Sequence, residues 1–196
     1  MRIVHVDDRL VVIDKPPGLL SVPGRTEPDC ASARVQRLYP DALVVHRLDQ
    51  ATSGLLLFAR GVQAQRELSA DFADRRVEKL YVAVVAGRLE GEGVIDLPLG
   101  ADWPNRPRQQ VNIESGKPSQ TRWRVIGHEG SSTRVALEPL TGRTHQLRVH
   151  LAHIGHAILG DTLYAAPDIA ATSPRLLLHA SELRVSGHCF SSPPEF

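Results

Sequence analysis

Residues 46–54 (HRLDQATSG) place a carboxylic acid, a guanidinium and small hydroxyl groups on one polar connection. Apolar runs typical of β-strands lie on either side of it, at residues 42–46 and 55–59. A polar loop held between two strands is a common position for catalytic groups, which makes Asp49 a candidate catalytic carboxylate. The alternative is a turn in which Asp49 and Thr52 cap backbone N–H groups, and composition alone favours this turn.

Residues 141–150 contain two arginines and two histidines but no acid. Thr144 is a suitable N-cap for a helix that runs through Ile154. The core-facing stripe of such a helix would comprise Leu147, Leu151 and Ile154. Arg148 would lie in the first turn, where the helix dipole opposes a positive charge unless a carboxylate or phosphate compensates it. The segment is therefore either an exposed, salt-bridging helix or a helix with a buried arginine paired to an acid elsewhere.

A series of histidines lies in and after this segment, at His145, His150, His153 and His156. His150 and His153 have a spacing that could chelate a metal, but no cysteine or acid near them completes a set of ligands. They are interpreted as polar helix positions, and no metal site is predicted. The chain also has no glycine-rich nucleotide motif and no nucleophilic serine motif, so no cofactor is predicted.

Residues 102–110 combine a tryptophan, two arginines and amide side chains on a loop stiffened by proline. This composition suits phosphate contact and base stacking, the alternative being a structured surface loop. The formal net charge of the chain is only +1, but residues 117–150 contain six Lys or Arg against two acids. That segment carries +4 and leaves −3 for the remainder, a segregation that a one-sided site for a polyanion requires.

Strand-like runs outnumber helical ones along the 196 residues. The patterns predict a helix at 63–76, an irregular loop at 98–108 and strands at 3–6, 10–13, 42–46, 55–59, 79–86, 120–126, 133–137 and from 176–179 onward. They indicate an α+β fold, with a mixed, mostly antiparallel central sheet and flanking helices and loops, in a single domain over residues 1–196. No run approaches the roughly 18 apolar residues of a membrane helix. Two cysteines are too few for a disulfide framework, which favours a cytoplasmic protein.

Five segments, in this order, resemble the motifs of the RluA family of RNA pseudouridine synthases. They are residues 14–18, 46–54, 79–83, 142–150 and 176–180. The resemblance covers nearly the whole chain and implies the catalytic fold of that family, without the S4-type RNA-binding domain that some relatives carry. It also implies a cofactor-free isomerase that breaks the N1–C1′ bond of uridine, rotates the base and joins C5 to C1′.

The resemblance implies roles for individual residues. Asp49 would be the essential carboxylate, Arg148 its basic partner and Tyr81 the residue that stacks on the target base. Arg47 would occupy the RNA stack after the target base has flipped out. An apolar wall of the base pocket would come from Leu177 or Leu178. Whether Asp49 attacks the sugar or removes a sugar proton stays open.

RNA contacts are expected from basic and polar side chains near these motifs. The candidates are Arg106, Arg108, Lys117, Arg143 and His145. A narrower resemblance to one branch of the family rests on residues 102–107 and 116–118. It implies two substrate uridines, one in the anticodon stem-loop of certain tRNAs and one in a hairpin loop of 23S rRNA. The chain is expected to be a monomer with RNA as its partner and no membrane association.

Two other classes of function remain open at this point. A non-catalytic RNA-binding or RNA-chaperone module could use the same scaffold, but it would not need Asp49, Tyr81 and Arg148 together. A glycosidase-like hydrolase of small nucleosides would usually need two carboxylates at the site, and no second acid has a setting comparable to that of Asp49.

Overall fold

The computed structural model describes all 196 residues, and the fold is α+β with a large, mostly antiparallel sheet and few helices, as predicted. None of the helices has the length and apolar character needed to cross a membrane. The chain divides into two compact units, the first formed by Met1–Lys79 with His179–Glu195 and the second by Leu80–Leu178 with Phe196. The single domain expected over residues 1–196 stays a prediction.

The regular elements are twelve strands, four α-helices and one short 3-10 turn at Trp103–Asn105. In chain order they are β1 (Arg2–Val6), β2 (Leu10–Lys15), α1 (Ala31–Leu38), β3 (Ala42–Val44), β4 (Ser53–Arg60), α2 (Gly61–Ala73), β5 (Glu78–Ala86), β6 (Glu92–Asp96), β7 (Leu99–Ala101), β8 (Gln109–Val111), β9 (Gln120–Glu129), β10 (Ser132–Pro139), α3 (Gln146–His153), α4 (Pro167–Ala170), β11 (Leu178–Val185) and β12 (His188–Ser191).

The first unit is built on strands that are buried on both faces. β2 and β4 pair in antiparallel fashion, and nearly every residue of both strands is buried because both are continuous apolar runs. β1 pairs with β2 and β3 with β4, while β11 lies parallel to β4 and antiparallel to β12. α2 adds Ala64 and Leu68 to the core of this unit. These buried strands and α2 support the connection between β3 and β4, which carries Asp49.

The second unit contains an antiparallel arrangement in the order β5, β10, β9 and β6, and a separate pair formed by β7 and β8. α3 contacts β8, β9 and β10 and is buried along most of its length. His150 is fully buried within it, where its ring nitrogens lie 2.9 Å from Thr121 Oγ1 and 3.0 Å from the Leu97 carbonyl oxygen. The interpretation of His150 as a polar helix position is therefore wrong, because it is a hydrogen-bonded core residue.

The structure also corrects the predicted start of this helix at Thr144. α3 begins at Gln146, and the preceding residue, His145, has a left-handed backbone with φ of 54°. The Gln146 side chain accounts for the difference, because its Oε1 accepts hydrogen bonds from Thr141 Oγ1 (2.6 Å) and the Arg143 N–H (3.0 Å). This side chain closes a turn before the helix, so that Thr144 stays exposed instead of capping it.

Other elements were predicted with mixed success. The helix at 63–76 and the strands at 3–6, 10–13, 55–59, 79–86, 120–126 and 133–137 are confirmed, with shifted ends. Residues 98–108 are not irregular throughout, because β7 occupies their first part. α1, β6, β8, α4 and β12 were not predicted. The N-cap of α1 is Cys30, whose thiol accepts from the Ala33 N–H, and cysteine is not a residue from which a cap is normally inferred.

Candidate active site

The backbone on both sides of Asp49 is held by hydrogen bonds. On the N-terminal side, Ser21 Oγ donates to the Leu48 carbonyl (2.7 Å) and accepts from the Leu48 N–H (3.0 Å). Asp49 itself is half-buried, whereas Arg47 is exposed. Since one serine binds both backbone polar groups of the residue before Asp49, the direction in which the chain enters Asp49 is defined.

On the C-terminal side the anchor is Lys15, whose side chain is completely buried. Its Nζ donates to the carbonyl oxygens of Pro16 (2.9 Å), Leu19 (2.8 Å) and Gln50 (3.1 Å), which use the three donors of an ammonium group. Burying an ammonium is costly unless it is well partnered, so this arrangement strongly restrains the loop. Because Gln50 directly follows Asp49, the ammonium group is fixed on the backbone of the residue next to the candidate carboxylate.

His46 anchors the start of the same connection to β4. Its Nε2 accepts the Leu57 N–H at 3.0 Å, and its ring stacks on Phe72 with 4.5 Å between centroids and 21° between planes. Burial, together with the nearby charge of Lys79, lowers the pKa of His46 to about 3. The imidazole is therefore neutral at physiological pH, as acceptance of a hydrogen bond at Nε2 requires.

The C-terminal end of the connection between β3 and β4 is hydrogen-bonded to β11. Ser53 Oγ lies 2.9 Å from His179 Nδ1, and His179 Nε2 lies 3.0 Å from the Ser192 carbonyl oxygen. Because a carbonyl can only accept, His179 Nε2 donates to Ser192, while Nδ1 forms the hydrogen bond with Ser53. Gly54, with φ of 111°, faces Ala180, and a Cβ at this position would overlap the Ala180 backbone. Only glycine permits so close an approach.

In the second unit, Arg148 is buried and paired with Asp161, the two side chains being 4% and 1% exposed. Arg148 Nε donates to Asp161 Oδ2 (2.8 Å) and Arg148 Nη2 to Asp161 Oδ1 (2.7 Å). Asp161 Oδ1 also accepts from the N–H groups of Leu163 (3.0 Å) and Tyr164 (3.2 Å). Of the two interpretations of residues 141–150, the buried arginine paired with an acid elsewhere is the one observed. The bidentate contact fixes the plane of the guanidinium.

Tyr164 joins three of the predicted site residues. Its hydroxyl accepts from the Gln109 N–H (2.8 Å) and is hydrogen-bonded to His145 Nδ1 at 2.6 Å. The guanidinium carbons of Arg148 and Arg108 lie 5.1 Å and 5.5 Å from the centre of its ring. Arg108, His145 and Arg148 are therefore brought together around one aromatic side chain.

The remaining RNA-contact candidates are exposed. Arg106 lies over the ring of Trp103 at 4.9 Å, and this indole is 68% exposed. The tip of the loop is held by hydrogen bonds from the Asp102 N–H to the Arg108 carbonyl (3.0 Å) and from Asn105 to the Asp102 carboxylate. Lys117 and Arg143 are exposed as well. An exposed indole under a guanidinium offers both a stacking surface and a positive charge.

The base-pocket candidates lie on or next to strands of the second unit. Tyr81 is half-buried on β5, opposite Leu137 of β10. Leu177 is half-buried, and its backbone pairs with Val84 and Leu159. Leu178 is only 2% exposed. Between the two leucines, Leu177 keeps the larger accessible surface with which to contact a base.

A model of the family described as RNA pseudouridylate synthase matches residues 9–153. This chain belongs to that family. The dual-specificity RNA pseudouridine synthase RluA of Escherichia coli K12 is 50% identical over 99% of this chain and 90% of its own length. RluA of Yersinia pestis is 48% identical over 100% of this chain and 97% of its own length.

Solved structures agree with this assignment. Human RNA pseudouridylate synthase domain containing 1 has a TM-score of 0.85 at 28% identity and covers 99% of this chain and 83% of its own. Human RNA pseudouridylate synthase domain containing 4 has a TM-score of 0.81 at 25% identity and covers 99% and 89%. The protein is an RNA pseudouridine synthase, an isomerase that converts uridine in RNA to pseudouridine.

Reasoning from the sequence missed two neighbours of Arg148 in this pseudouridine synthase. They are Asp161 and Tyr164. The signal for Asp161 was indirect, since a basic residue in the first turn of a buried helix requires a negative partner. Nothing local distinguishes Asp161 from an ordinary turn acid. Asp49 and Arg47 belong to the first unit, and Tyr81 and Arg148 to the second. Their assembly into one catalytic site stays a prediction.

Proposed function

We propose that this pseudouridine synthase modifies two uridines, one in the anticodon stem-loop of tRNA and one in a hairpin loop of 23S rRNA, with Asp49 as its essential carboxylate. The observation that carries the proposal is 50% identity over 99% of the chain to an enzyme named for dual specificity. The matched region covers 99% of the chain and so includes residues 102–107 and 116–118, on which the narrower resemblance rests.

The restraint of the Asp49 loop supports a catalytic role. A reacting carboxylate must keep its geometry while the base leaves C1′ and returns through C5. Ser21 and Lys15 hold the backbone of the residues before and after Asp49, a degree of restraint that a solvent-exposed turn does not need. In the proposed reaction the N1–C1′ bond breaks and the C5–C1′ bond forms. The hydrogen on C5 is lost as a proton, and N1 gains one.

Arg148 is proposed to pair with Asp49 and keep it ionised. An isolated carboxylate in a closed pocket would be driven towards its neutral form, whereas a nearby guanidinium favours the charged form. The bidentate contact with Asp161 supports this role, because it holds the guanidinium of Arg148 in one orientation. Asp161 is thus a positioning residue for Arg148.

The target base is proposed to flip out of its stack before it reaches Asp49, because the reacting C1′ and C5 atoms are otherwise shielded by neighbouring bases. Arg47, two residues before Asp49, is exposed and would fill the vacated position. Tyr81 would stack on the flipped base, and Leu177 would line the same pocket. A phenol has an ordinary pKa of about 10, so Tyr81 would need assistance to act as a base.

RNA is proposed to contact a basic surface that includes the residues around Tyr164. Arg108 and His145 are joined through that tyrosine, and Arg106 with Trp103 provides an exposed cation–π pair. Lys117 and Arg143 add exposed positive charge. Loops of structured RNA present splayed bases and phosphates, which such a surface can stack on and neutralise.

The proposal is tested by release of tritium from RNA labelled at uridine C5. Separate transcripts of a tRNA anticodon stem-loop and a 23S rRNA hairpin serve as substrates for wild-type protein, Asp49→Asn and the matched surface control Asp8→Asn. We expect both RNAs to release tritium with wild type and Asp8→Asn, and neither with Asp49→Asn, although all three proteins fold equally well by circular dichroism.

Each component of the proposal can fail separately. Substantial release by Asp49→Asn would remove Asp49 as the essential carboxylate. Release from one RNA alone would limit the enzyme to a single substrate. Turnover of free uridine would point to a nucleoside-acting enzyme instead of one that requires RNA.

The protein is proposed to act as a monomer in the cytoplasm. The free thiols of Cys30 and Cys189 support the cytoplasmic location, because disulfides are rare in that compartment. Light scattering after gel filtration checks the first point, and fractionation of cells that express a tagged chain checks the second.

A further inference from the structure

A cluster of three metal-ligating side chains lies in the first unit, apart from the Asp49 loop in sequence. It consists of His5, Asp7 and His188, whose ligating atoms all lie within 4.8 Å of one another. His5 Nε2 and Asp7 Oδ2 are already 2.8 Å apart. We name this group the His5–Asp7–His188 cluster. None of its members takes part in the proposed pseudouridylation chemistry.

The backbone fixes each member of the cluster. His5 follows an irregularity in the β1–β2 register between Ile3 and His5, and such a bulge re-aims side chains. Ser186 and Gly187, with φ of 50° and 80°, form the tight turn between β11 and β12. Positive φ at both central residues is typical of a two-residue hairpin turn, so His188 leaves this turn in a defined direction.

Asp7 presents one carboxylate oxygen to the cluster while the other is occupied. Its Oδ1 accepts from the N–H groups of Arg9 and Leu10, both at 2.8 Å, and its Oδ2 faces His5. The two N–H groups therefore fix the orientation of the carboxylate and leave Oδ2 as the ligand atom of the cluster.

Phe190 restrains both imidazole rings. The His5 ring lies 5.1 Å from the Phe190 ring, and the His188 ring stacks on Phe190 at 5.7 Å with 5° between planes. The two imidazoles are 5.8 Å apart between centroids. An aromatic side chain in contact with both rings limits the rotamers that each can adopt, which lowers the entropy cost of bringing their nitrogens together.

We propose that the His5–Asp7–His188 cluster binds one divalent transition-metal ion of the zinc class. Two imidazole nitrogens and one carboxylate oxygen suit zinc, cobalt or nickel, whereas magnesium and calcium prefer oxygen ligands only. In a tetrahedral site with bonds of about 2.0–2.1 Å, neighbouring ligand atoms are about 3.3 Å apart. The cluster reaches this spacing by movements of about 1.5 Å or less, and water completes the coordination.

Metal binding would join β1 to β12, strands from opposite ends of the chain. The first unit already connects these regions through Ser192, whose hydroxyl donates to Asp14 Oδ2 (2.6 Å) and accepts from Arg2 Nη2 (3.3 Å). A ligand that binds only the folded state raises thermal stability as its concentration rises. Zinc should therefore increase the melting temperature of the protein, and magnesium should not.

The test uses tag-free protein stripped with a chelator, with ZnCl₂ as the probe in isothermal titration calorimetry and thermal melting. Because the exposed thiol of Cys189 adjoins His188 and could itself bind zinc, all variants carry Cys189→Ser. The cluster variants are His188→Ala and Asp7→Asn, the latter keeping an oxygen for the N–H groups of Arg9 and Leu10. The matched control is His153→Ala, an exposed histidine of the second unit.

We expect one zinc equivalent in the Cys189→Ser protein and in the His153→Ala control, with at least a tenfold loss of affinity in each cluster variant. Magnesium should not compete. Equal zinc affinity in His188→Ala and its parent would overturn the proposal. So would the absence of saturable binding below about 100 μM zinc, or binding that disappears with Cys189→Ser alone.

Discussion

The buried pair between Arg148 and Asp161 leads to a quantitative prediction for Asp161→Asn. The asparagine retains Oδ1 for the N–H groups of Leu163 and Tyr164, so the local turn is preserved. Its Nδ2 group, however, replaces the oxygen that accepts from Arg148 Nε at 2.8 Å, which places two donors face to face. The arginine keeps its charge but loses the negative charge of Asp161.

The magnitude follows from burial. With the two side chains 4% and 1% exposed, water cannot replace the missing partner, and breaking such a buried pair costs about 3–5 kcal/mol. For a chain of this size, each kcal/mol corresponds to about 2–4 °C in melting temperature. We expect differential scanning calorimetry to show a decrease of about 6–20 °C for Asp161→Asn.

A matched control is available in the exposed pair between Asp29 and Arg34, whose side chains are 46% and 38% exposed. Asp29→Asn should lower the melting temperature far less than Asp161→Asn, because solvent screens such a pair. The double variant Arg148→Met/Asp161→Leu should recover much of the stability lost in Asp161→Asn, since apolar residues of similar size can replace a buried ion pair. Tritium release should not recover, because Arg148 is absent. Equal melting temperatures for Asp161→Asn and Asp29→Asn would refute the reasoning.

Three further predictions concern the loop, its histidine and the RNA surface. Gly54→Ala should lower the free energy of unfolding in urea by more than about 3 kcal/mol, because the new Cβ would overlap the Ala180 backbone. In the control Gly130→Ala, the backbone also has positive φ (59°) but no atom lies near the new Cβ, so the loss should be about 1 kcal/mol. The pKa of His46 is lowered from 6.5 in the unfolded chain to about 3 in the folded one, so between these values only the unfolded chain gains a proton at this residue. Protonation of His46 should therefore remove about 2 kcal/mol from the free energy of unfolding by pH 5. His46→Gln should lack this decrease, and parallel plots of unfolding free energy against pH for the two proteins would contradict the prediction. Arg106→Ala should weaken RNA binding and reduce the salt dependence by about one counterion, while Arg88→Ala, another exposed arginine, should leave both unchanged in a filter-binding salt titration.

Much of the fold follows from local patterns in the sequence. The apolar runs of β2 and β4 and the periodicity of α2 carry their own signals, and the structure confirms all three elements. The start of α3 could not be predicted in this way, because Gln146 folds back on Thr141 through a side-chain contact that competes with capping by Thr144. The short strands β6 and β12 likewise depend on their pairing partners, since they are too brief and too polar to stand out alone.

Site residues that belong to a sequence motif could be predicted, whereas residues that matter only through their three-dimensional contacts could not. The requirement for an acid beside Arg148 came from electrostatics, but the choice of Asp161 depends on a turn 13 residues away. Tyr164 was missed because its importance lies in contacts with Gln109, His145 and two arginines, none of which leaves a periodic pattern. Lys15 belongs to a recognised motif, but only the structure shows that it is completely buried and donates a hydrogen bond to the Gln50 carbonyl.

The parallel pairing of β4 with β11 has a consequence for folding during synthesis on the ribosome. Ser53 and His179, which close the end of the Asp49 loop, are 126 residues apart in sequence. At roughly 5–20 residues per second, the ribosome needs on the order of 6–25 s to make the strand that completes this contact. The nascent first unit must wait with β4 lacking one neighbour, while residues 80–178 form a contiguous stretch that is available to fold in the interval. The Asp49 loop therefore acquires its final restraint among the last events of synthesis, so that in a chain interrupted before β11 the Ser53 end of this loop is not yet anchored.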